Sequence, residues 1–178
     1  GGYDGATHHA NEDLALMRVL PNLKILAPSN PDELKAAVRI TIAHQGPVYI
    51  RCVRDAVPNL PAKEAVQMGK AVVVEDDGND FALIYEGSAT ELAFKSFEAC
   101  REKGKKGKLI NLFSVKPVDR DLIRQTAGTV ERIVTIENHS VIGGLGGLIA
   151  ETVCDMPGHA PVLRVGVEDV FTESGPSG

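Results

Sequence analysis

The chain has 178 residues, which is enough for one ordinary domain or two small ones, each with a buried core. Its net charge of -5 at pH 7 argues against a nucleic-acid partner, and no apolar run is long enough to cross a bilayer. The three cysteines are an odd number and are widely spaced within apolar segments. We therefore expect reduced, buried thiols in a cytoplasmic protein without a disulfide framework.

The opening stretch, residues 1–13, holds the densest cluster of groups able to do chemistry, and it reads GGYDGATHHANED. Imidazole titrates near neutrality and can both donate and accept hydrogen bonds, so His8 is a candidate for binding hydroxyls or moving a proton. A polar histidine without such a role is the commoner case. A metal site formed by His8 or His9 with Asp4 and Glu12 is a further alternative, although adjacent histidines point apart and the known zinc spacings are absent.

Residues 1–60 predict the closing half of a larger α/β domain. Strands at 23–27 and 48–53 flank a helix that begins at SNPDEL, where Asn30 is the expected N-cap. The strand, helix, strand order predicts two parallel strands, which are too few for a complete sheet. The predicted buried stripe of the helix consists of Leu34, Ala37, Val38 and Ile42.

Two arginines, Arg51 and Arg54, lie at the carboxyl end of the second strand. Parallel α/β folds present ligands at that end, and a guanidinium group offers a planar fork of donors to a phosphate or carboxylate. Plain surface cations are an equally good interpretation from the residues alone.

Residues 61–178 predict a second, complete domain that follows an ordered, proline-containing linker at 55–69. Its alternating strands and helices predict a three-layer αβα fold with a mainly parallel sheet and one antiparallel edge strand. The turn DDGND predicts a hairpin between the first two strands. The predicted strands are 71–75, 81–85, 108–113, 132–137 and 161–167, and the predicted helices are 88–103, 119–127 and 143–156.

The glycine-rich stretch GGLGG at 143–147 follows a strand and precedes a helix, which is the setting of a dinucleotide-binding turn. It does not complete that motif, because Ile149 stands where a small residue belongs. Close backbone packing or a tight turn is the favoured interpretation. Glu137, Asn138 and His139 end the preceding strand, where a ligand could lie, but the sequence suggests no catalytic partner for them.

Several stretches resemble the transketolase family. The first reads DGATHHANEDLALMRVLPNLKILAPSNPDELKAAV, followed by GPVYIRCVRDAVP, and resembles the second half of the pyrimidine-binding domain, especially in bacterial and archaeal enzymes made of two different chains. The others, NLFSVKPVD, IVTIENHSVIGGLGG and VGVEDVFTESG, are similar in the same order to the family's C-terminal domain. The similarity covers nearly the whole chain, and the DGxTHxxxED segment is typical of the wider thiamine-diphosphate group.

This resemblance implies transfer of a two-carbon ketol unit from a ketose phosphate to an aldose phosphate, with thiamine diphosphate and Mg²⁺ as cofactors of the parent enzyme. It assigns His8 to the substrate's hydroxyls and carbonyl, Asp4 to a substrate hydroxyl and Arg54 to the sugar phosphate. Arg51 is a weaker assignment to substrate binding. Many relatives have Gln at the position of His9, so the resemblance implies no role for it.

The resemblance also implies what this chain lacks. The family's activating glutamate and the aromatic residues that stack on the cofactor ring belong upstream of this chain's first residue, and the diphosphate-binding domain with its Mg²⁺ site belongs to another segment or subunit. We therefore expect no cofactor-binding or metal-binding residues here and no activity from the chain alone. The expected partners are that domain or subunit and further copies, in a homodimer or heterotetramer of a longer protein or complex.

Three hypotheses remain open from the sequence. The first is the C-terminal part of a transketolase. The second is another thiamine enzyme with the same domain order, either a 1-deoxyxylulose-5-phosphate synthase or the β subunit of a 2-oxo acid dehydrogenase. The third is a module without catalytic groups that assembles or regulates a partner. The His8 loop with Arg54 favours a phosphorylated sugar as substrate, and therefore the first.

Overall fold

The structure is a computed structural model that describes residues 5–53 and 65–173. Asp4, Arg54 and most of the predicted linker lie outside the described residues. None of the helices that the structure describes has the length and apolar content that a membrane crossing requires. The described helices are α1 (Asp13–Arg18), α2 (Pro31–Ala43), α3 (Thr90–Glu102), α4 (Arg120–Ala127) and α5 (Leu145–Val153), and the described strands are β1 (Lys24–Leu26), β2 (Val48–Ile50), β3 (Val72–Asp76), β4 (Phe81–Tyr85), β5 (Gly107–Asn111), β6 (Ser114–Lys116), β7 (Ile133–Ser140) and β8 (Val162–Val167).

The larger sheet has five strands in the order β3-β5-β4-β7-β8. All neighbouring pairs are parallel except the edge strand β3, which is antiparallel to β5. The predicted architecture, a mainly parallel sheet with one antiparallel edge strand, is therefore confirmed.

The predicted hairpin between β3 and β4 is wrong, because β5 lies between them and pairs with both. The acidic turn DDGND binds the start of β5 instead of closing a hairpin. The Asp77 carboxylate accepts a hydrogen bond from the Gly107 amide at 2.6 Å, and the Asp80 carboxylate accepts one from the Lys106 amide at 3.0 Å. These contacts help to hold β5 between β3 and β4, which a hairpin would have paired directly.

Both faces of this sheet are covered, which confirms the three layers. All five residues of β4 are buried. Ala82 and Ile84 point to the layer of α4 and α5, and Phe81, Leu83 and Tyr85 point to the layer of α3. This alternation is the period of a strand buried on both faces.

A smaller sheet joins the two predicted domains, in the order β2-β1-β6. β1 and β2 are parallel, as predicted, and β6 adds an antiparallel third strand from the second region. The predicted strand at 108–113 is β5, which ends at Asn111, and β6 begins beyond the predicted range at Ser114. The Leu112 amide still donates to the Tyr85 carbonyl at 2.8 Å, whereas the Phe113 carbonyl accepts from the Ala27 amide at 2.8 Å, so the chain passes here from one sheet to the other.

Helix α2 begins as predicted, because the Asn30 side chain accepts hydrogen bonds from the amides of Asp32 and Glu33. Its predicted buried stripe is wrong in part. Only Ala37 of the four residues is buried, and Leu34, Val38 and Ile42 are exposed over 37%, 44% and 81% of their surface. The helix instead packs through a face on which Glu33 and Ala37 are buried and Ile40 is half-buried against Leu26 and Phe113.

The three cysteines are free thiols. Their predicted burial is wrong for Cys52 and Cys154, which are exposed, and Cys100 is half-buried. Cys154 follows the last residue of α5, and Cys52 follows β2, so both lie where an element ends at the surface.

Candidate functional site

The loop that carries His8 runs along the surface from Gly5 to the start of α1. Gly5 has a φ of 79°, and the chain then forms a 3-10 turn over Ala6–His8. The His8 amide donates to the Gly5 carbonyl at 3.0 Å. The His8 imidazole is exposed, with Nδ1 3.0 Å from the Thr7 hydroxyl oxygen. The side chain is therefore accessible to a solute.

Arg51, immediately after β2, is buried among the polar groups of both regions. Its Nε donates to the two carboxylate oxygens of Asp13 at 3.1 and 2.9 Å, and the Tyr49 hydroxyl donates to the same carboxylate at 2.8 Å. Burial alone would lower the pKa of Arg51, but the carboxylates of Glu86 and Asp13 outweigh burial and raise it. Burial, and then the Asp13 carboxylate, raise the pKa of Tyr49 to about 12. The guanidinium stays charged and the phenol stays a donor.

The other guanidinium nitrogens of Arg51 bind groups in both regions of the chain. Nη1 donates to the Glu86 carboxylate at 3.0 Å and to the Ser88 hydroxyl at 2.5 Å. Nη2 donates to the carbonyls of Ala10 at 3.2 Å and Asn138 at 2.9 Å. All five N–H bonds of the guanidinium therefore have acceptors within the chain. The predicted contact of Arg51 with substrate stays a prediction, and these contacts give Arg51 a structural role.

Arg51 lies where an α/β sheet would bind a ligand. β5 and β7 lie on opposite sides of β4. The chain continues from β4 to β5 on one side and later places β7 on the other side, so the carboxyl end of β4 is a topological switch point. Glu86 and Ser88 follow the carboxyl end of β4, and Asn138 lies near the carboxyl end of β7. In this protein the crevice holds an arginine from the first region instead of an open ligand site.

Glu137, in the second half of β7, is another buried carboxylate, and it binds the start of α5. Its two oxygens accept hydrogen bonds from the amides of Leu145 at 2.5 Å and Gly146 at 2.9 Å. Burial raises the pKa of Glu137 to about 7, against the lowering effect of those two amides. The nearby Glu86 carboxylate raises it further.

Two glycines of GGLGG, Gly144 and Gly146, are required by the close approach of α5 to β7. A Cβ atom on Gly144 would lie 2.0 Å from the Glu137 Oε2 atom, and one on Gly146 would lie 2.7 Å from the Thr135 hydroxyl oxygen. The predicted close packing is confirmed. The amides at the start of α5 are occupied by a carboxylate of the protein itself.

His139 is fully buried and also binds the first region. Its Nδ1 lies 2.7 Å from the Ser140 carbonyl oxygen, so Nδ1 carries the proton and donates it there. Its Nε2 accepts a hydrogen bond from the Ala15 amide at 3.3 Å, in the first turn of α1. The sequence suggested no partner for this histidine, and the structure gives it a place between β7 and α1.

His9 and Asn11, on either side of Ala10, are bound by the end of the described chain. The Thr172 hydroxyl oxygen lies 2.6 Å from His9 Nδ1 and accepts a hydrogen bond from the Asn11 side-chain amide at 3.0 Å. The loop that carries His8 is thus fastened to the second region on more than one side.

Of the four predicted site residues, the structure describes His8 and Arg51. They are linked through the backbone, because Arg51 binds the carbonyl of Ala10, two residues after His8. Sequence reasoning missed Glu86 as the main partner of Arg51. The signal was available, since Glu86 is an acidic residue directly after an entirely apolar strand, which is the position where parallel sheets place functional polar groups.

The described ranges contain no group of three or more His, Cys, Asp or Glu side chains placed to hold a metal ion. The alternative metal site around His8 and His9 also needs Asp4, which lies outside those ranges.

Two family descriptions match the chain. The transketolase pyrimidine binding domain matches residues 1–59, and the transketolase C-terminal domain matches residues 69–178.

Curated relatives of three kinds are similar over nearly the whole chain. A putative transketolase C-terminal section from Methanocaldococcus jannaschii is 33% identical over 98% of this chain and 55% of that protein. One subunit of an apulose-4-phosphate transketolase from Phocaeicola vulgatus is 35% identical over 93% of this chain and 53% of that protein. A 1-deoxy-D-xylulose-5-phosphate synthase from Methylacidiphilum infernorum is 36% identical over 98% of this chain and 28% of that protein. The chain thus spans about half, or less, of these relatives.

A solved structure has the same fold. It is a split-gene transketolase described as an inactive beta4 tetramer, and it superposes with a TM-score of 0.86 at 37% identity, covering 93% of this chain and 55% of that one. The match to the C-terminal domain alone spans more than half of the chain, and on these findings the protein belongs to the transketolase family.

Proposed function

We propose that this chain is the C-terminal part of a thiamine-diphosphate-dependent enzyme that transfers a two-carbon ketol unit between sugar phosphates. The observation that carries the proposal is the His8 loop. Its imidazole is exposed to solvent, and its backbone is held by the hydrogen bond from Arg51 to the Ala10 carbonyl. A histidine that binds a polyhydroxylated substrate needs both features, access and a fixed position.

In this proposal His8 binds the hydroxyls and carbonyl of the substrate, Asp4 binds a hydroxyl, and Arg54 binds the phosphate. Arg51 would contribute to the same site by holding the backbone behind His8. The enzyme would act in the cytoplasm, as part of the pentose phosphate pathway.

The cofactor supplies the carbanion chemistry of ketol transfer when it is bound. The buried carboxylates among the described residues are Glu33, Glu86, Asp119 and Glu137, and each of them accepts hydrogen bonds from donors within the chain. We propose that the residues that hold thiamine diphosphate and Mg²⁺ lie upstream or on a diphosphate-binding partner, in a homodimer or heterotetramer.

His8→Ala tests the proposal in the full-length protein with its diphosphate-binding partner, thiamine diphosphate and Mg²⁺. With xylulose 5-phosphate and ribose 5-phosphate, we expect the wild type to form a seven-carbon ketose phosphate and His8→Ala to lower kcat/KM about a hundredfold. His44→Ala is the matched control, because His44 follows α2 at the opposite end of β2 from Arg51. An unchanged rate in His8→Ala would contradict the role of His8 and favour an assembly module.

A second candidate function is a 1-deoxyxylulose-5-phosphate synthase, which the 36% identity to such an enzyme favours. The same preparation distinguishes the two, with pyruvate supplied as donor in place of the ketose phosphate. Release of carbon dioxide with pyruvate, and no seven-carbon product with the sugar pair, would move the proposal to that enzyme or to a 2-oxo acid dehydrogenase component.

A further inference from the structure

The three residues after His8 are each held by the rest of the fold. The His9 side chain contacts the Thr172 hydroxyl, the Ala10 carbonyl accepts from Arg51, and the Asn11 carbonyl accepts from the Ser140 amide at 2.7 Å. Arg51 is itself fixed by buried ion pairs. The contact with Thr172 differs, since it comes from the segment after the last strand.

Thr172 joins two loop side chains through one hydroxyl group. Its oxygen accepts a hydrogen bond from the Asn11 amide at 3.0 Å and lies 2.6 Å from the Nδ1 atom of His9. One hydroxyl group therefore makes both of these contacts with the loop.

The segment around Thr172, residues 168–173, brings little apolar packing to this contact. Phe171 is exposed over 96% of its surface and Val170 over 67%. Thr172 is half-buried between exposed neighbours, and its hydroxyl lies against the loop. Polar bonds, not burial, therefore attach this segment, and removing one hydroxyl group should release it.

We propose that Thr172 is a positioning residue for the loop that carries His8, so that the segment 168–173 acts as a strap across the back of the site. The part of the inference that concerns turnover rests on the proposed function of His8. A histidine that binds a reacting substrate loses much of its effect when it is displaced by about 1 Å. The strap should therefore affect kcat more than KM.

Two variants at one position test the strap in the full-length protein with its partner. Thr172→Val keeps the size of the side chain and removes the hydroxyl, and Thr172→Ser keeps the hydroxyl. The matched control is Thr41→Val, because the Thr41 hydroxyl is also hydrogen-bonded, as a donor to a carbonyl of α2 at 2.8 Å, far from the loop. The readouts are amide hydrogen exchange over residues 5–11 and the separate values of kcat and KM for ketol transfer.

We expect Thr172→Val to raise the exchange of the loop amides about tenfold and to lower kcat about tenfold, which is the effect of losing one or two net hydrogen bonds. Thr172→Ser should keep the exchange rate and kcat of the wild type, and Thr41→Val should change neither quantity. Unchanged exchange in Thr172→Val would overturn the inference, and so would equal effects in all three variants.

The two proposals fail in different ways. If the wild type has no ketol transfer activity but Thr172→Val still loosens the loop and Thr172→Ser does not, the proposed function fails and the strap is supported. If the wild type transfers ketol units and Thr172→Val leaves the loop and kcat unchanged, the strap fails and the proposed function is untouched.

Discussion

The two regions of this molecule are stabilised in different ways. In the second region, residues 65–173, the central strand β4 is wholly buried and apolar clusters fill both faces of its sheet. In the first region, residues 5–53, every residue of β2 is only half-buried, and the outer stripe of α2 is exposed. The first region has few buried apolar contacts of its own.

Polar contacts with the second region compensate in part for the small number of buried apolar contacts in the first region. The first region takes a third strand, β6, from the second, and its Arg51 enters the crevice at the carboxyl ends of β4 and β7. The loop that carries His8 is fastened through the same crevice. Buried ion pairs are costly to assemble and very costly to break, so the first region should depend on the second far more than the reverse.

The largest expected effect comes from Arg51→Met, which removes the charge at the centre of the contact. Glu86, which is buried, and Asp13, whose side chain is only 10% exposed, would then lack a cation, so we expect the free energy of unfolding to fall by about 4 kcal/mol. Urea denaturation followed by circular dichroism measures the loss. Hydrogen exchange should rise in α1, β1 and β2 and stay slow in β4.

Arg39→Met is the control for Arg51→Met, because Arg39 is exposed on α2. We expect it to change stability by less than about 0.5 kcal/mol. If Arg51→Met raised exchange in β4 as much as in β2, the two regions would be one cooperative unit and the contrast between them would not hold.

The next effect, from Gly144→Ala, should be confined to the second region. A Cβ atom there would lie 2.0 Å from the Glu137 carboxylate and 2.7 Å from the Ser140 carbonyl oxygen. We expect a loss of about 3 kcal/mol from this overpacking, with faster exchange in α5 and β7 and little change in β2. Thermal denaturation and hydrogen exchange measure the two parts of the expectation.

Gly128→Ala is the matched control, since the nearest atom to a Cβ there is the Gln125 carbonyl oxygen at 3.6 Å. It should raise stability by about 0.5 kcal/mol by restricting the unfolded chain. A Gly144→Ala protein as stable as the wild type would mean that the carboxylate of Glu137 can move away from α5 at no cost.

The fold class could be predicted from the sequence because apolar strand patterns, turn residues and helical patterns alternate along the second region. Apolar strands such as FALIY, bounded by turns and followed by helices, specify a parallel sheet with both faces covered. The position of β5 was not readable, because the hairpin signal of DDGND is local and the contacts of Asp77 and Asp80 with β5 are not. Strand order depends on such distant pairs.

The candidate site was readable only in part. The chemistry of the His8 loop is visible in its residue types, but its support is not, because Arg51, Glu86 and Thr172 lie far apart in the chain. A buried arginine and a surface arginine look the same in a sequence. What separates them is the buried carboxylate that faces one of them, and only the folded structure gives that.

The smallest expected effect is a pH dependence set by Glu137. Its pKa is about 7 in the folded protein against an ordinary value of 4.5, with burial as the main cause. Between those values the folded protein holds a proton that the unfolded chain releases, so this group's contribution to stability is complete below pH 4.5 and is lost as the pH rises through 7. The stability of the wild type minus that of Glu137→Gln should therefore fall by about 2 kcal/mol between about pH 5 and about pH 7.5.

Glu131→Gln is the control, because Glu131 is an exposed carboxylate shortly before β7. Amide hydrogen exchange over the same pH range shows whether the ionisation of Glu137 affects one region or both. The Glu137 carboxylate binds α5 and lies near Glu86, the partner of Arg51. If ionisation of Glu137 speeds exchange in α5 and β7 but not in β2, the ion pair of Arg51 with Glu86 is not disturbed by the new charge on Glu137. If α1 and β2 loosen as well, the crevice couples the charge of the second region to the loop that carries His8.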